Sequence, residues 1–235
     1  MLKDPLKLES IAARSWCRPG ERLLMRIGPR WGHVAFDIGG RRGAPHDHGG
    51  RIAVESVTEP EWPLPTEVVA GGRCHGDEWV DDPTIWGHVQ AAAPGHVAVG
   101  CADGLAAGRA DAWLVLSNQR LAVVMAASAA ERPEPAPQPS PSSKPARSAG
   151  GWLARVKDVA KDAQARMQSG GESLLTLWEA PGTVIHHFGA LPLGRATVPD
   201  WFGQIAFHDG SSLVIRMENR VQAESVVTSG DKLFG

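Results

Sequence analysis

The chain has 235 residues, a formal net charge of −2, 43% apolar residues and 21% charged residues. This length and composition fit either one large domain or two small ones, and both can bury a hydrophobic core. The nearly balanced charge excludes a whole-chain field that would attract nucleic acid, so we expect no nucleic-acid partner.

The cysteines Cys17, Cys74 and Cys101 are widely spaced and form no Cys-x-x-Cys pair. Their number and spacing favour free thiols over a zinc knuckle or a disulfide framework. Residues 1–16 carry scattered charges and lack the apolar core of a secretory signal. No apolar run approaches the ~20 residues that a membrane-spanning helix needs. We therefore expect a soluble, cytoplasmic protein without a cofactor.

Residues 1–130 read mainly as strands and turns. The predicted strands are Glu21–Ile27, Gly32–Ile38, Ile52–Val57, His96–Cys101, Ala112–Leu116 and Leu121–Met125. The polar stretch Ser117–Arg120 is a plausible hairpin turn, because Asn118 tolerates left-handed backbone geometry. Residues 58–94 are rich in Pro, Gly and Trp and show no clear period, which predicts a long, loop-rich connection.

A Pro- and Ser-rich stretch, residues 131–150, marks the clearest boundary in the chain. Its prolines lack amide hydrogens and it carries almost no apolar side chains, so we predict a disordered linker. The chain then divides into a β-rich part (1–130), the linker (131–150) and a third part (151–235). The third part either forms a unit of its own or completes one domain with the first.

The third part begins with a predicted amphipathic helix, residues 152–169, whose apolar residues recur at helical spacing. The strands predicted after it are Leu174–Trp178, Thr183–Phe188, Gly203–His208 and Ser212–Arg216. Asp209-Gly210 between the last two strands is a strong hairpin signal. A final helix is predicted over residues 217–229, ended by Gly230.

Two stretches, DAWLVLSNQRLAVV (Asp111–Val124) and IAFHDGSSLVIRM (Ile205–Met217), resemble hairpins of bacterial pleckstrin-homology-like domains. The resemblance covers about a third of the chain. It implies a strongly bent antiparallel sheet or barrel capped by a C-terminal helix, with the linker and the basic helix as an insertion. The fold class expected is therefore α+β, mainly antiparallel β, with that pleckstrin-homology-like arrangement.

Metal chemistry has one weak set of candidates, His46, His48 and Cys74. Imidazole and thiolate are good ligands for zinc, and two histidines at i and i+2 in an extended segment point the same way. The surrounding Gly-rich sequence favours instead a solvated loop, and no further paired spacing supports a metal site. For His186-His187, strand alternation predicts one exposed ring and one half-buried ring.

The chain contains no Gly-x-Ser-x-Gly elbow and no phosphate-binding loop. We therefore predict a non-enzymatic interaction or scaffold module that binds a protein or peptide, or a further copy of itself. The expected binding residues are Trp79 and Trp86, in an exposed Trp-rich loop, and Arg155, Lys157 and Lys161 on the basic helix.

Two alternatives remain open from the sequence. The basic helix favours a lipid-binding protein at the membrane surface, because an amphipathic helix with Lys and Arg binds anionic lipid. The second alternative is a metal-dependent enzyme around His46, His48 and Cys74.

Overall fold

The structure is a computed structural model that describes residues 2–57, 61–131 and 172–234. The strands are β1 (Leu23–Ile27), β2 (His33–Ile38), β3 (Arg41–Gly43), β4 (Glu55–Ser56), β5 (Ile85–Ala91), β6 (Trp113–Ser117), β7 (Arg120–Ala126), β8 (Ala130–Glu131), β9 (Leu174–Pro181), β10 (Ile185–Leu193), β11 (Asp200–Phe207) and β12 (Ser212–Met217). The helices are α1 (Pro5–Ile11), α2 (Glu67–Ala70), α3 (Val97–Gly108) and α4 (Arg220–Phe234).

A four-stranded antiparallel sheet has the order β1-β6-β7-β9. The predicted turn between its two central strands is confirmed, although Asn118 does not take a left-handed φ. The Ser117 hydroxyl accepts hydrogen bonds from the backbone N–H groups of Gln119 and Arg120. Every residue of β6 and β7 is buried. These strands are apolar on both sides because both faces of this sheet are covered, one by α1 and the turn after it and the other by α3.

A six-stranded sheet has the order β10-β11-β12-β5-β2-β3. All neighbours are antiparallel except β2 and β5, which run parallel. The Asp209-Gly210 hairpin between β11 and β12 is confirmed, with Gly210 at a left-handed φ of 80° that glycine adopts without strain. The described part of the chain is therefore α+β and mainly antiparallel, as expected.

The central helix α3 packs between the two sheets. The prediction of a strand over His96–Cys101 is wrong, because these residues open this helix. Their apolar run has no period of two or of 3.6, and a helix that is apolar on all sides has to be buried on all sides. Gly100 and Gly104 allow this close packing, since a Cβ at either position would lie 2.5–3.1 Å from atoms of Trp178 in β9.

Each of the two larger sheets contains strands from before and from after residues 132–171. In the four-stranded sheet β7 pairs with β9, and in the six-stranded sheet β5 pairs with β12. The predicted linker and the predicted helix over 152–169 lie outside the described residues, except Glu131, which ends β8. The hydrophobic core is thus built jointly by residues that precede and follow this segment.

Three local predictions need correction. The strand predicted over Ile52–Val57 shrinks to Glu55–Ser56. His186 and His187 are both exposed, because a bulge between Ile185 and His187 interrupts the alternation of β10. Gly230 does not end the last helix but lies inside it: a Cβ there would come 2.1 Å from the ring of Phe188, so only glycine lets α4 pack onto β10.

Candidate functional site

The outer face of the six-stranded sheet, which points away from α3, carries a cavity of about 370 Å³ that we call the outer cleft. Side chains alternate between the faces of a strand, so Val89 points to the core while His88 and Gln90 point outward. The polar floor of the outer cleft comes from three strands and consists of His88, Gln90, Gln204 and Ser212.

The strand register brings these polar groups together. Ser212 of β12 pairs with Gln90 of β5, and Val214 pairs with His88 on one side and Gln204 on the other. Side chains on directly opposed positions lie about 5 Å apart. The floor therefore gathers four uncharged hydrogen-bonding side chains around the apolar Val214, from residues more than a hundred positions apart in the sequence.

Trp79 stacks on His88 with ring centroids 4.9 Å apart and planes inclined by 17°. The tryptophan lies in the short helical turn Glu78–Asp81 and also contacts the edge of Phe202, 5.3 Å away. Only 7% of it is exposed. The prediction that Trp79 stands in an exposed loop is thus wrong, and its ring instead forms a wall of the outer cleft.

His88 stays neutral at physiological pH. Burial lowers the pKa of its imidazole from 6.5 to about 4, and the nearby Arg42 adds to this while Asp37 opposes it. Arg42 and Asp37 bind each other at the rim, Nε to Oδ2, at 2.7 Å. A neutral imidazole offers the outer cleft one hydrogen-bond donor and one acceptor.

A second cavity of about 330 Å³, which we call the histidine pocket, is bordered by His46, His48 and Trp86. Both histidines are more than nine-tenths buried, and Asp47 between them is exposed. The expectation of a solvated loop at this segment is therefore wrong. Trp86 lies in strand β5 and is half-buried, so the prediction of an exposed loop is wrong for this residue too. Its indole N–H donates to the carbonyl of Gly32 at 3.0 Å.

The buried carboxylate of Asp103 fixes the position of His46 in the histidine pocket. Nε2 of His46 lies 2.8 Å from Oδ1 of Asp103, and Arg51 donates to both oxygens of that carboxylate at 2.6 Å. Burial favours the neutral acid, but the hydrogen bonds from His46 and Arg51 outweigh it and lower the pKa of Asp103. His48 contacts the carboxylate of Glu55 at 3.3 Å, and its Nδ1 is buried without a partner among the described residues.

The predicted metal set does not converge. Cys74 lines the outer cleft, whereas His46 and His48 line the histidine pocket. Within residues 2–57, 61–131 and 172–234, no group of three His, Cys, Asp or Glu side chains is arranged to hold a metal ion. Burial and the nearby Glu78 and Asp82 raise the pKa of the Cys74 thiol, so it stays protonated and is a poor ligand and nucleophile.

The predicted basic binding residues Arg155, Lys157 and Lys161 lie outside the described residues. Among the helices that are described, none is long and apolar enough to cross a membrane.

Sequence reasoning missed the polar floor of the outer cleft. Strand β5 reads IWGHVQA, and its burial alternates at every position. That alternation was the available signal, but an extra residue at Trp86 breaks the register with β2, and Gly87 lacks a side chain.

Comparison with protein-family models, with curated proteins and with solved structures finds no match for this chain.

Proposed function

We propose that this protein is a non-enzymatic interaction module that binds an extended peptide segment of a partner protein in the outer cleft. One observation carries the proposal: His88, Gln90, Gln204 and Ser212 present uncharged donors and acceptors around the apolar Val214, beside the Trp79 ring. A peptide backbone offers the complementary N–H and C=O groups, and peptide recognition commonly combines them with an apolar or aromatic wall.

The chemistry of His88 favours binding over catalysis. A general acid or base works best when its pKa lies near the working pH. With a pKa of about 4, His88 is not in its imidazolium form at neutral pH, so it is a poor general acid and a weak base. The nearby Cys74 thiol is also protonated, because burial raises its pKa. The floor groups therefore support hydrogen bonding to a neutral ligand.

The proposal also covers the fold relationship and the cellular location of the protein. The proposal keeps a relationship to pleckstrin-homology-like domains, which rests on the resemblance of the two hairpins and on the C-terminal helix after the second of them; the two hairpins lie in different sheets. We also propose a cytoplasmic location, in line with the widely spaced free thiols. The membrane alternative depends on Arg155, Lys157 and Lys161, and no described feature adds support to it.

The proposal is tested by panning a random peptide library, displayed on phage, against the immobilised full chain. Enriched peptides are synthesised, and their affinity is measured by titration calorimetry. We expect the double variant Gln90→Ala, Gln204→Ala to bind them at least about tenfold more weakly, since two hydrogen bonds of about 1 kcal/mol each are lost. Gln119→Ala is the matched control, because Gln119 is an exposed glutamine in the turn of the other sheet.

Equal binding by the double variant and the wild type would place the peptide elsewhere and overturn the proposal, as would a library that yields no enriched sequence. A second copy of the chain is the alternative partner. Analytical ultracentrifugation of the wild type and the double variant separates the two cases, because self-association through the outer cleft gives a dimer that the double variant loses.

A further inference from the structure

A third cavity, of about 350 Å³, lies between the loop that joins β1 to β2 and the first turns of α4. We call it the arginine cavity. Its polar lining consists of Arg26, Arg30, Glu218, Gln222 and Ser225. It shares no residue with the outer cleft, so a ligand bound here is independent of the proposed function.

Arg30 lacks adequate partners among the described residues. Its Nη1 is 4.0 Å from Glu218, whose side chain is 69% exposed, and its Nη2 meets only the thioether sulfur of Met217 at 3.9 Å. Its Nε is buried without a hydrogen bond. A guanidinium has five N–H donors in a planar fork, so most of the capacity of this group is unused.

Burial makes this shortage costly. The Arg30 side chain is only 22% exposed. Loss of water lowers the pKa of its guanidinium, and the distant Glu218 offsets this only in part. A cation withdrawn from water without a close counter-ion destabilises the folded state. An unsatisfied group of this kind in a native fold calls for an explanation, and an anion bound at the wall of the cavity is one that would supply the missing partners.

The charged side chains around the arginine cavity favour a ligand with a single negative charge. Arg26 also lines the arginine cavity, but its Nη1 binds Glu9 at 2.5 Å, so its charge is compensated. Arg30 alone remains, and it can balance one negative charge. The Glu218 carboxylate at the rim repels a dianion more strongly than a monoanion.

We propose that the arginine cavity binds a small organic monocarboxylate, whose two oxygens accept a pair of parallel hydrogen bonds from Arg30. Planar carboxylate matches the guanidinium fork, and such bidentate pairs are among the stronger hydrogen bonds in proteins. Gln222 supplies a further donor: its Oε1 accepts from the backbone of Glu218 at 3.0 Å, which leaves its amide nitrogen to donate to the ligand.

The apolar part of the ligand rests on the floor of the arginine cavity, which is formed by the buried residues Met25, Trp113 and Val226. Trp113 holds its position because its indole N–H donates to the carbonyl of Leu2 at 2.9 Å. Ligand sites typically combine such an apolar wall with a few placed polar groups. The ligand class is therefore a carboxylate with a short hydrocarbon or aromatic body.

The test is a titration of the full chain with benzoate, phenyl phosphate and the neutral benzamide, in a buffer free of carboxylate and phosphate. Calorimetry gives the affinities, and ¹H–¹⁵N spectra follow the Arg30 Nε–H and the Gln222 side-chain amide. We expect benzoate to shift both signals and to bind more tightly than either other probe. Arg30→Met should weaken benzoate binding at least about tenfold, since the charge-assisted hydrogen bonds to the carboxylate are lost.

Two more variants separate a binding role of Arg30 from a structural one. Arg30→Lys keeps the charge but loses the fork, so benzoate should bind several-fold more weakly, whereas Glu218→Gln should tighten binding. Arg14→Met, at an exposed arginine of the N-terminal segment, is the control and should change nothing. Equal benzoate binding by wild type and Arg30→Met, tighter binding of benzamide or phenyl phosphate, or silent Arg30 and Gln222 signals would overturn the proposal.

Discussion

Nε of Arg120 lies 2.8 Å from Oε1 of Glu21, and the two side chains are 8% and 0% exposed. The same guanidinium contacts Glu179, donates to the carbonyl of Trp16 at 3.1 Å and stacks 3.9 Å above the centre of the Trp16 ring. Arg120 thus pairs with two carboxylates and also binds a backbone carbonyl. This ion pair ties the segment before β1 to the β6–β7 hairpin and to β9.

Removal of one partner of this buried pair should destabilise the protein strongly. We expect Arg120→Met to lower the free energy of unfolding by about 3–5 kcal/mol, because it leaves the Glu21 carboxylate buried without its cation. Urea denaturation followed by circular dichroism measures the loss. Arg220→Met is the control: its pair with Glu224 is also close, 2.6 Å, but exposed, and should cost less than about 0.5 kcal/mol. Similar losses for both variants would contradict the prediction.

The buried His88 predicts a pH dependence of stability. The pKa of His88 is about 4 in the folded chain, whereas a histidine in the unfolded chain has its ordinary value of 6.5. Between these two pH values the unfolded chain therefore binds more protons than the folded chain. Stability should therefore fall as the pH drops from 6.5 toward 4, by up to about 3 kcal/mol from this group. Urea denaturation at pH 7.0, 6.0 and 5.0 measures the slope, in units of free energy per pH unit.

The matched variant for this slope is His88→Gln, which keeps a polar side chain but does not titrate. It should unfold with a flatter pH profile than the wild type over the same range. A variant that shows the wild-type slope would mean that other groups cause the pH dependence.

The tight contact of α3 with the four-stranded sheet predicts the effect of one methyl group. In an ordinary helix, Gly→Ala gains about 1 kcal/mol. At Gly104 a Cβ would stand 3.0 Å from Cβ of Val123 and 3.1 Å from Cβ of Trp178, so we expect Gly104→Ala to destabilise by about 1–3 kcal/mol. Thermal unfolding measures this. Gly95→Ala, where the added atom meets open space, should leave the melting temperature nearly unchanged.

Asp103 should stabilise the fold through its two partners. Asp103→Asn removes the charge that faces His46 and Arg51, and we expect a loss of about 2–4 kcal/mol at neutral pH. The folded state lowers the pKa of this carboxyl, so its contribution is full above the ordinary value of 3.8 and fades as the pH falls through the lowered value. Wild type and variant should hence converge in acid. Asp47→Asn, at the exposed neighbour of His46, should have little effect in the same denaturation series.

The sequence predicted those elements whose signals are local. The β6–β7 and β11–β12 hairpins combine a polar turn with short apolar strands, and both formed as expected. The run at His96–Cys101 could not be assigned in this way, because a fully buried helix and a fully buried strand are both continuously apolar. Only the contact of this segment with both sheets decides between the two.

The candidate sites depended on contacts that the sequence does not display. The outer cleft unites β5 with β11 and β12, and this pairing is set by sheet order rather than by any motif. His46 is buried because Asp103, far along the chain, supplies a charged partner. Arg30 carries no such signal, since an arginine in a loop is normally solvated; its shortage of partners among the described residues becomes visible only when its surroundings are known.

The two ends of the segment 132–171 meet in the fold. The backbone N–H of Ala127 donates to the carbonyl of Ser173 at 2.9 Å, and Ser128 reaches Glu172 at 3.3 Å. The pairing of β7 with β9 therefore fixes where the chain departs and where it returns. A foreign sequence inserted between these two fixed ends should leave the strand register unchanged, since the entropy of closing a loop grows only slowly with its length. This edge of the molecule is consequently a natural place to graft a foreign sequence, such as a reporter or an affinity tag, onto an intact scaffold.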